Sequence, residues 1–124
     1  MEFRSLDHVQ LGMPPGEEGR ARAFYVDIVG MTEIPKPADG AAGAGGCWFV
    51  SGPVHLHLGV DPEFQPAKRA HPAIVVPSLA ELEGRLHPAG YPTTAGGRIP
   101  GRERVFSNDC FGNRIEWIEL EEDA

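Results

Sequence analysis

The side chains best suited to chemistry are four histidines and one carboxylate. His8 and His71 each stand in a short β-like segment, LDHVQLGM and AHPAIVVP, and each segment leads into a helix-like stretch. His55 and His57 lie on VHLHLGV, and Glu116 lies on NRIEWIEL near the end of the chain. Two imidazoles and a carboxylate with open coordination positions suit non-haem Fe(II), Mn(II), Ni(II) or Zn(II). The competing reading of His8 and His71 is a pair of hydrogen-bonded, partly buried histidines, and spacing by itself favours it. His55 and His57 read equally well as residues of an exposed strand face. For Glu116 the plain alternative is a salt bridge to Arg114 on its own strand face, which would be worth little at a surface.

The elements that must position these groups follow from periodicity. Ala21, Phe24, Tyr25 and Ile28 fall at i, i+3, i+4 and i+7, which predicts an amphipathic helix over residues 17–29 with Gly30 as its stop. Ser78 and Glu81 have capping-box spacing at the start of a second helix, which runs through Leu79, Leu82 and Leu86 into the breaker His87-Pro88-Ala89-Gly90. Three more strands are expected after each helix. They are residues 31–35, CWFV and VHLHLGV in the first half, and YPTT, RERVFS and NRIEWIEL in the second. The order β-α-β-β-β therefore occurs twice, with PEFQPAKR as the connection. The expectation is one α+β domain, 1–124, built of modules 1–62 and 68–124.

Alternation assigns the faces. Val9, Leu11 and Met13 share one side of the first strand, and His8, Gln10 and Gly12 the other. On VHLHLGV the apolar set is Val54, Leu56, Leu58 and Val60, which leaves His55, His57 and Gly59 opposite. Arg98, Arg102 and Arg104 could bind a carboxylate or phosphate, but the interleaved Glu103 favours a solvated strand edge. Trp48, Phe49, Phe106 and Trp117 could line a pocket for an apolar or aromatic ligand, but aromatics on short strands read more simply as core. His87 reads as a favourable charge at a helix C-terminus or a solvent-facing residue, and ADGAAGAGG as a flexible lid or linker.

The chain has 11 Lys and Arg against 18 Asp and Glu, a net charge of −7, so nucleic acid is not an expected partner. Glu119, Glu121, Glu122 and Asp123 read as a solvated tail. No membrane-spanning run or secretory signal is apparent, and no membrane partner is expected. Cys47 and Cys110 fit neither a disulfide framework nor a thiolate zinc site, which points to a reducing, cytoplasmic setting.

Taken together, LDHVQLGM with FYVDIVGM, VHLHLGVDPEF leading into AHPAIVVPSLAELEGRL, and the closing DCFGNRIEWIEL resemble the vicinal oxygen chelate superfamily. That superfamily includes glyoxalase I, fosfomycin-resistance proteins, extradiol dioxygenases, methylmalonyl-CoA epimerase and bleomycin-resistance proteins. The resemblance implies a glyoxalase-like fold in which two βαβββ modules form a curved mixed sheet around a metal-binding cavity. It also implies a homodimer and a small-molecule substrate chelating a divalent cation through adjacent oxygens. Under it, His8, His71 and Glu116 are the metal ligands, and His57 is a fourth ligand or catalytic base. His57 stands where glyoxalase I and the epimerases have Glu or Gln, which argues against glyoxalase I activity. Cys110 replaces a usual proline, a change confined to the turn before Gly112. The implied chemistry is lyase, isomerase, thiol-transfer or dioxygenase. The alternative within the family is a metal-free, ligand-sequestering protein of the bleomycin-resistance type.

Overall fold

The computed structural model describes residues 1–37 and 45–121. The part of ADGAAGAGG at 38–44, read above as a lid or linker, and the tail residues Glu122 and Asp123 lie outside them. The chain divides into two compact units, Met1–Gln65 and Pro66–Ala124.

In the first unit, strand β1 (Val9–Met13) leads into helix α1 (Glu18–Arg22), which continues as a wider-turned segment, Ala23–Ile28. Strands β2 (Thr32–Ile34), β3 (Cys47–Ser51) and β4 (Val54–Val60) follow. The sheet order is β1-β4-β3-β2, with β1 parallel to β4 and the other pairs antiparallel. A parallel pair needs a long crossover, and the helix with β2 and β3 supplies it. Phe24 and Tyr25 are both fully buried against the apolar face of the sheet, where Tyr25 stacks on Phe49 with ring centres 5.1 Å apart. Met13, Leu56 and Leu58 complete this core. Gly30, at φ 84°, ends the helical segment as its sequence position suggests.

The second unit repeats the plan. Strand β5 (Ala73–Val75) is followed by α2 (Leu79–Leu86), then β6 (Thr94–Ala95), β7 (Arg102–Asn108) and β8 (Arg114–Leu120). Its order is β5-β8-β7-β6, again with the first and last strands parallel. The twofold β-α-β-β-β reading is therefore correct, and the fold is α+β. Strand β5 is shorter than AHPAIVVP suggests because Pro72 and Pro77 bracket it, and proline donates no ladder hydrogen bond. His71 thus precedes the strand, as His8 precedes β1.

Ser78 caps α2 by accepting a 3.1 Å hydrogen bond from the Glu81 amide. Glu119 does not belong to a solvated tail. It lies on β8, and its carboxylate accepts a 2.7 Å hydrogen bond from the Leu79 amide, where a negative charge also suits the positive end of the helix. Among the described residues no helix is long and apolar enough to cross a membrane.

Candidate functional site

Each unit presents one group of polar and aromatic side chains on the sheet face opposite its helix. In the first unit the register aligns Gln10 with His57 and His57 with Trp48, across β1, β4 and β3. His57 is sandwiched between two rings: Trp48 lies 4.0 Å away at 4° to it, and His8 4.1 Å away at 18°. The sandwich explains how a histidine on the polar face becomes buried, with 7% exposure. Burial pushes the His57 imidazole below its ordinary value, and the nearby His8 and His55 push the same way. His57 is accordingly neutral and able to accept a proton. His8 bonds outward, its Nδ1 lying 2.8 Å from Asp7 Oδ2, and His55 is exposed. Gly59 matters for the same face, because a Cβ there would meet the Gln10 side chain at 2.5 Å.

In the second unit the turn before β8 is a built object. The buried Asp109 carboxylate accepts hydrogen bonds from the amides of Phe111 and Asn113, at 2.8 and 2.9 Å, and from the Asn113 side chain at 2.9 Å. Gly112 takes the positive φ, 86°, that closes the turn. Cys110 leaves this arrangement intact. The turn sets the start of β8, and alternation then sends Ile115 and Trp117 into the core and Arg114 and Glu116 to the other face.

Glu116 is 7% exposed and has a partner on each oxygen. His71 Nε2 lies 2.9 Å from Oε1, and Arg104 Nη1 donates to Oε2 at 3.3 Å. Burial raises the carboxyl's proton affinity, but the hydrogen bonds from His71 and Arg104 outweigh it and hold Glu116 below its ordinary value, hence ionised. The other nitrogen of His71, Nδ1, sits 2.7 Å from the Arg69 carbonyl. Both neighbours of the ring are acceptors, so both contacts are satisfied together only when both nitrogens carry a proton. Phe106, opposite Glu116 in register, meets the His71 ring edge-on at 5.3 Å.

The sequence-derived ligand candidates thus fall into two pairs, His8 with His57 and His71 with Glu116. The salt bridge expected between Glu116 and Arg114 is made instead by Arg104, which is therefore no solvated-edge residue. Arg104 is one residue the sequence reading named but set aside as part of a solvated strand edge. Trp48 and Phe106, read as core, are two more: both lie on the polar faces, and the period-two pattern that placed His57 and Glu116 there also placed them. His87 is exposed at the C-terminus of α2, with Nε2 2.9 Å from Thr93 Oγ1.

The second pair has the donor chemistry of a metal site. A ligating imidazole characteristically donates its other N–H to a carbonyl or carboxylate, which fixes the nitrogen left for the cation, and the Arg69 carbonyl does this for His71. Each pair by itself stops at two rings or a ring and a carboxylate. Among the described residues no group of three or more His, Cys, Asp or Glu is gathered to hold a metal ion.

No protein-family model matches the chain, and no curated protein does. Solved structures do. A glyoxalase family protein from Bacillus anthracis is 42% identical, with 98% of each chain covered and a TM-score of 0.89. TnmS3, an antibiotic binding protein from Streptomyces sp. CB03234, is 15% identical over 98% of this chain and 99% of its own, with a TM-score of 0.74. FosX, a fosfomycin resistance protein from Listeria monocytogenes, is 16% identical over 97% and 96%, also at 0.74. The last two share the fold. The first, nearly half identical from end to end, shows that the chain belongs to the glyoxalase family of the vicinal oxygen chelate superfamily.

Proposed function

We propose that the chain is a metal-dependent enzyme of the vicinal oxygen chelate type, acting on a small substrate that offers two adjacent oxygens. The observation that carries this reading is the His71–Glu116 pair, an imidazole nitrogen and an ionised carboxylate oxygen 2.9 Å apart. A divalent cation competes with protons for the same two atoms. Bound there, it would supply Lewis acidity toward developing oxyanion charge on the substrate.

The residues of the chain supply the rest. The Arg69 carbonyl holds Nδ1–H and so keeps Nε2 turned toward Glu116. Arg104 occupies Oε2 and keeps the carboxylate ionised and oriented. His57, neutral between Trp48 and His8, is the base we assign to proton abstraction from substrate. His8 and His57 are carried as further ligand candidates on the strength of the family resemblance. A small-molecule substrate, a homodimer and a cytoplasmic setting go with this reading.

The test is calorimetric titration of resin-stripped protein with Mn(II), Zn(II), Ni(II) and Fe(II) in buffers of different ionisation enthalpy. About one ion per chain should bind, with release of about one proton, and His71→Ala and Glu116→Gln should abolish both. The variants His8→Ala and His57→Ala report whether the first unit contributes donors. A folded wild type that takes up none of the four ions would overturn the reading.

A second reading, metal-free sequestration of a ligand, is favoured by the Trp48–His57–His8 stack, since planar rings suit planar ligands. It requires that ligand binding be indifferent to metal removal and sensitive to Trp48→Ala.

A further inference from the structure

Two arginines lie against Phe106 and their situations differ. Arg104 has its guanidinium carbon 5.3 Å from the ring centre and is committed elsewhere, with Nη1 on Glu116 and Nε on the Gly97 carbonyl at 3.0 Å. Arg114 lies closer over the ring, at 4.1 Å, and among the described residues it has no carboxylate partner and no hydrogen-bond acceptor. A guanidinium stacked on an aromatic face uses its π surface there and keeps its in-plane N–H edge available, the edge that matches a carboxylate or phosphate. Charge agrees with geometry. Glu116 is matched by Arg104, so the positive charge of Arg114 stands uncompensated on a half-buried surface of a chain whose net charge is −7. Asn108, exposed and opposite Arg114 in the β7–β8 register, adds an amide donor on the same face.

We infer that Arg114, held flat by Phe106, is the binding group for a carboxylate or phosphate carried by the substrate. The His71 ring rests on the edge of the same Phe106, so an anion held by Arg114 is anchored on the ring that also borders the His71–Glu116 pair. The substrate class is then a small anion with its reacting oxygens next to the charged group. This placement rests on the proposed function, whereas the anion site itself needs no metal.

The experiment uses full-length protein stripped of metal on a chelating resin, because a soluble polycarboxylate chelator would itself compete. Inorganic phosphate and acetate are titrated separately at low salt, and the arginine side-chain N–H and backbone amide signals are followed by NMR. One of the two anions should give saturable shifts at Arg114 and Asn108, weakened by added salt. Arg114→Met keeps the aliphatic stem on Phe106 and removes the fork, and should weaken that anion about tenfold or more. If that variant does not fold, Arg114→Lys keeps the charge without the fork and should weaken it severalfold. Equal affinity in a folded variant, or shifts that never saturate and spread over Arg98 and Arg102, would overturn the assignment. Loss of anion binding in Arg114→Met with metal uptake unchanged separates this site from the metal reading. Anion binding by wild type that takes up no metal would uphold the site and overturn only the metal reading.

Discussion

Replacing Glu116 by glutamine keeps the shape of the side chain and removes its charge. In the wild type this carboxylate accepts from His71 at 2.9 Å and from Arg104 at 3.3 Å, with its side chain 9% exposed and theirs 25% and 22%. A hydrogen bond to a charged group contributes about 1.5–3 kcal/mol. Glutamine retains one good acceptor, so one bond survives in weakened form and the other is replaced by an amide facing a donor. The loss should be about 2–4 kcal/mol, and at roughly 4 °C per kcal/mol for a chain of this length the midpoint should fall by about 8–16 °C. The assay is urea and thermal unfolding of metal-free protein at neutral pH and again below pH 4.5. The sign of the pH dependence is fixed. Glu116 titrates below its ordinary value of 4.5 in the fold, so its stabilisation is fully present above 4.5 and is lost as pH falls through the lower folded value. The gap between wild type and Glu116→Gln should therefore narrow in acid. A neutral-pH difference under about 0.5 kcal/mol, or a gap that stays constant into acid, would refute the assignment of Glu116 as the ionised centre of the cluster.

Other expectations come from elsewhere in the chain. Burial holds His57 below 6.5, so the fold favours the neutral ring; stability should be level above pH 6.5 and decline as pH drops through the folded value, and His57→Gln should flatten that slope in a pH series of melts. Gly46 sits at φ 86° with the Leu58 carbonyl where a Cβ would go, so Gly46→Ala should cost more than about 2 kcal/mol in urea unfolding. Burial pushes the Cys47 thiol up, and at 1% exposure it should resist alkylation at neutral pH until the protein unfolds; modification of native protein mapped to Cys47 by mass spectrometry would contradict this.

Much of this was readable from residues because alternation is a strict rule on strands. The pattern of VHLHLGV placed His57 opposite the apolar set, and its register beside Gln10 and Trp48 bears this out; on NRIEWIEL alternation assigned Glu116 only to the face it shares with Arg114. The capping spacing of Ser78 and Glu81 fixed the start of α2. What escaped was pairing between strands. Glu116 meets Arg104 because β7 and β8 are antiparallel in a register set by the Asp109 turn, and a register cannot be read from either strand alone. The burial of His57 escaped for the same reason, since it depends on Trp48 lying directly across β3 and on His8 folding back over the ring. Glu119 was misjudged because sequence position near a terminus says nothing about a helix N-terminus lying beside it.

Strand β8 has a consequence for how such a protein can change over generations. Its odd-numbered residues, Ile115, Trp117 and Glu119, serve the core and the start of α2, while Arg114 and Glu116 serve the opposite surface. Selection can therefore act on two interleaved alphabets within one seven-residue segment. A lineage can exchange the residues at 114 and 116 without rewriting the positions that keep the helix in place, and the reverse also holds. A scaffold divided in this way is cheap to repurpose, which gives a physical reason for one fold to host chemistries as different as those of its relatives.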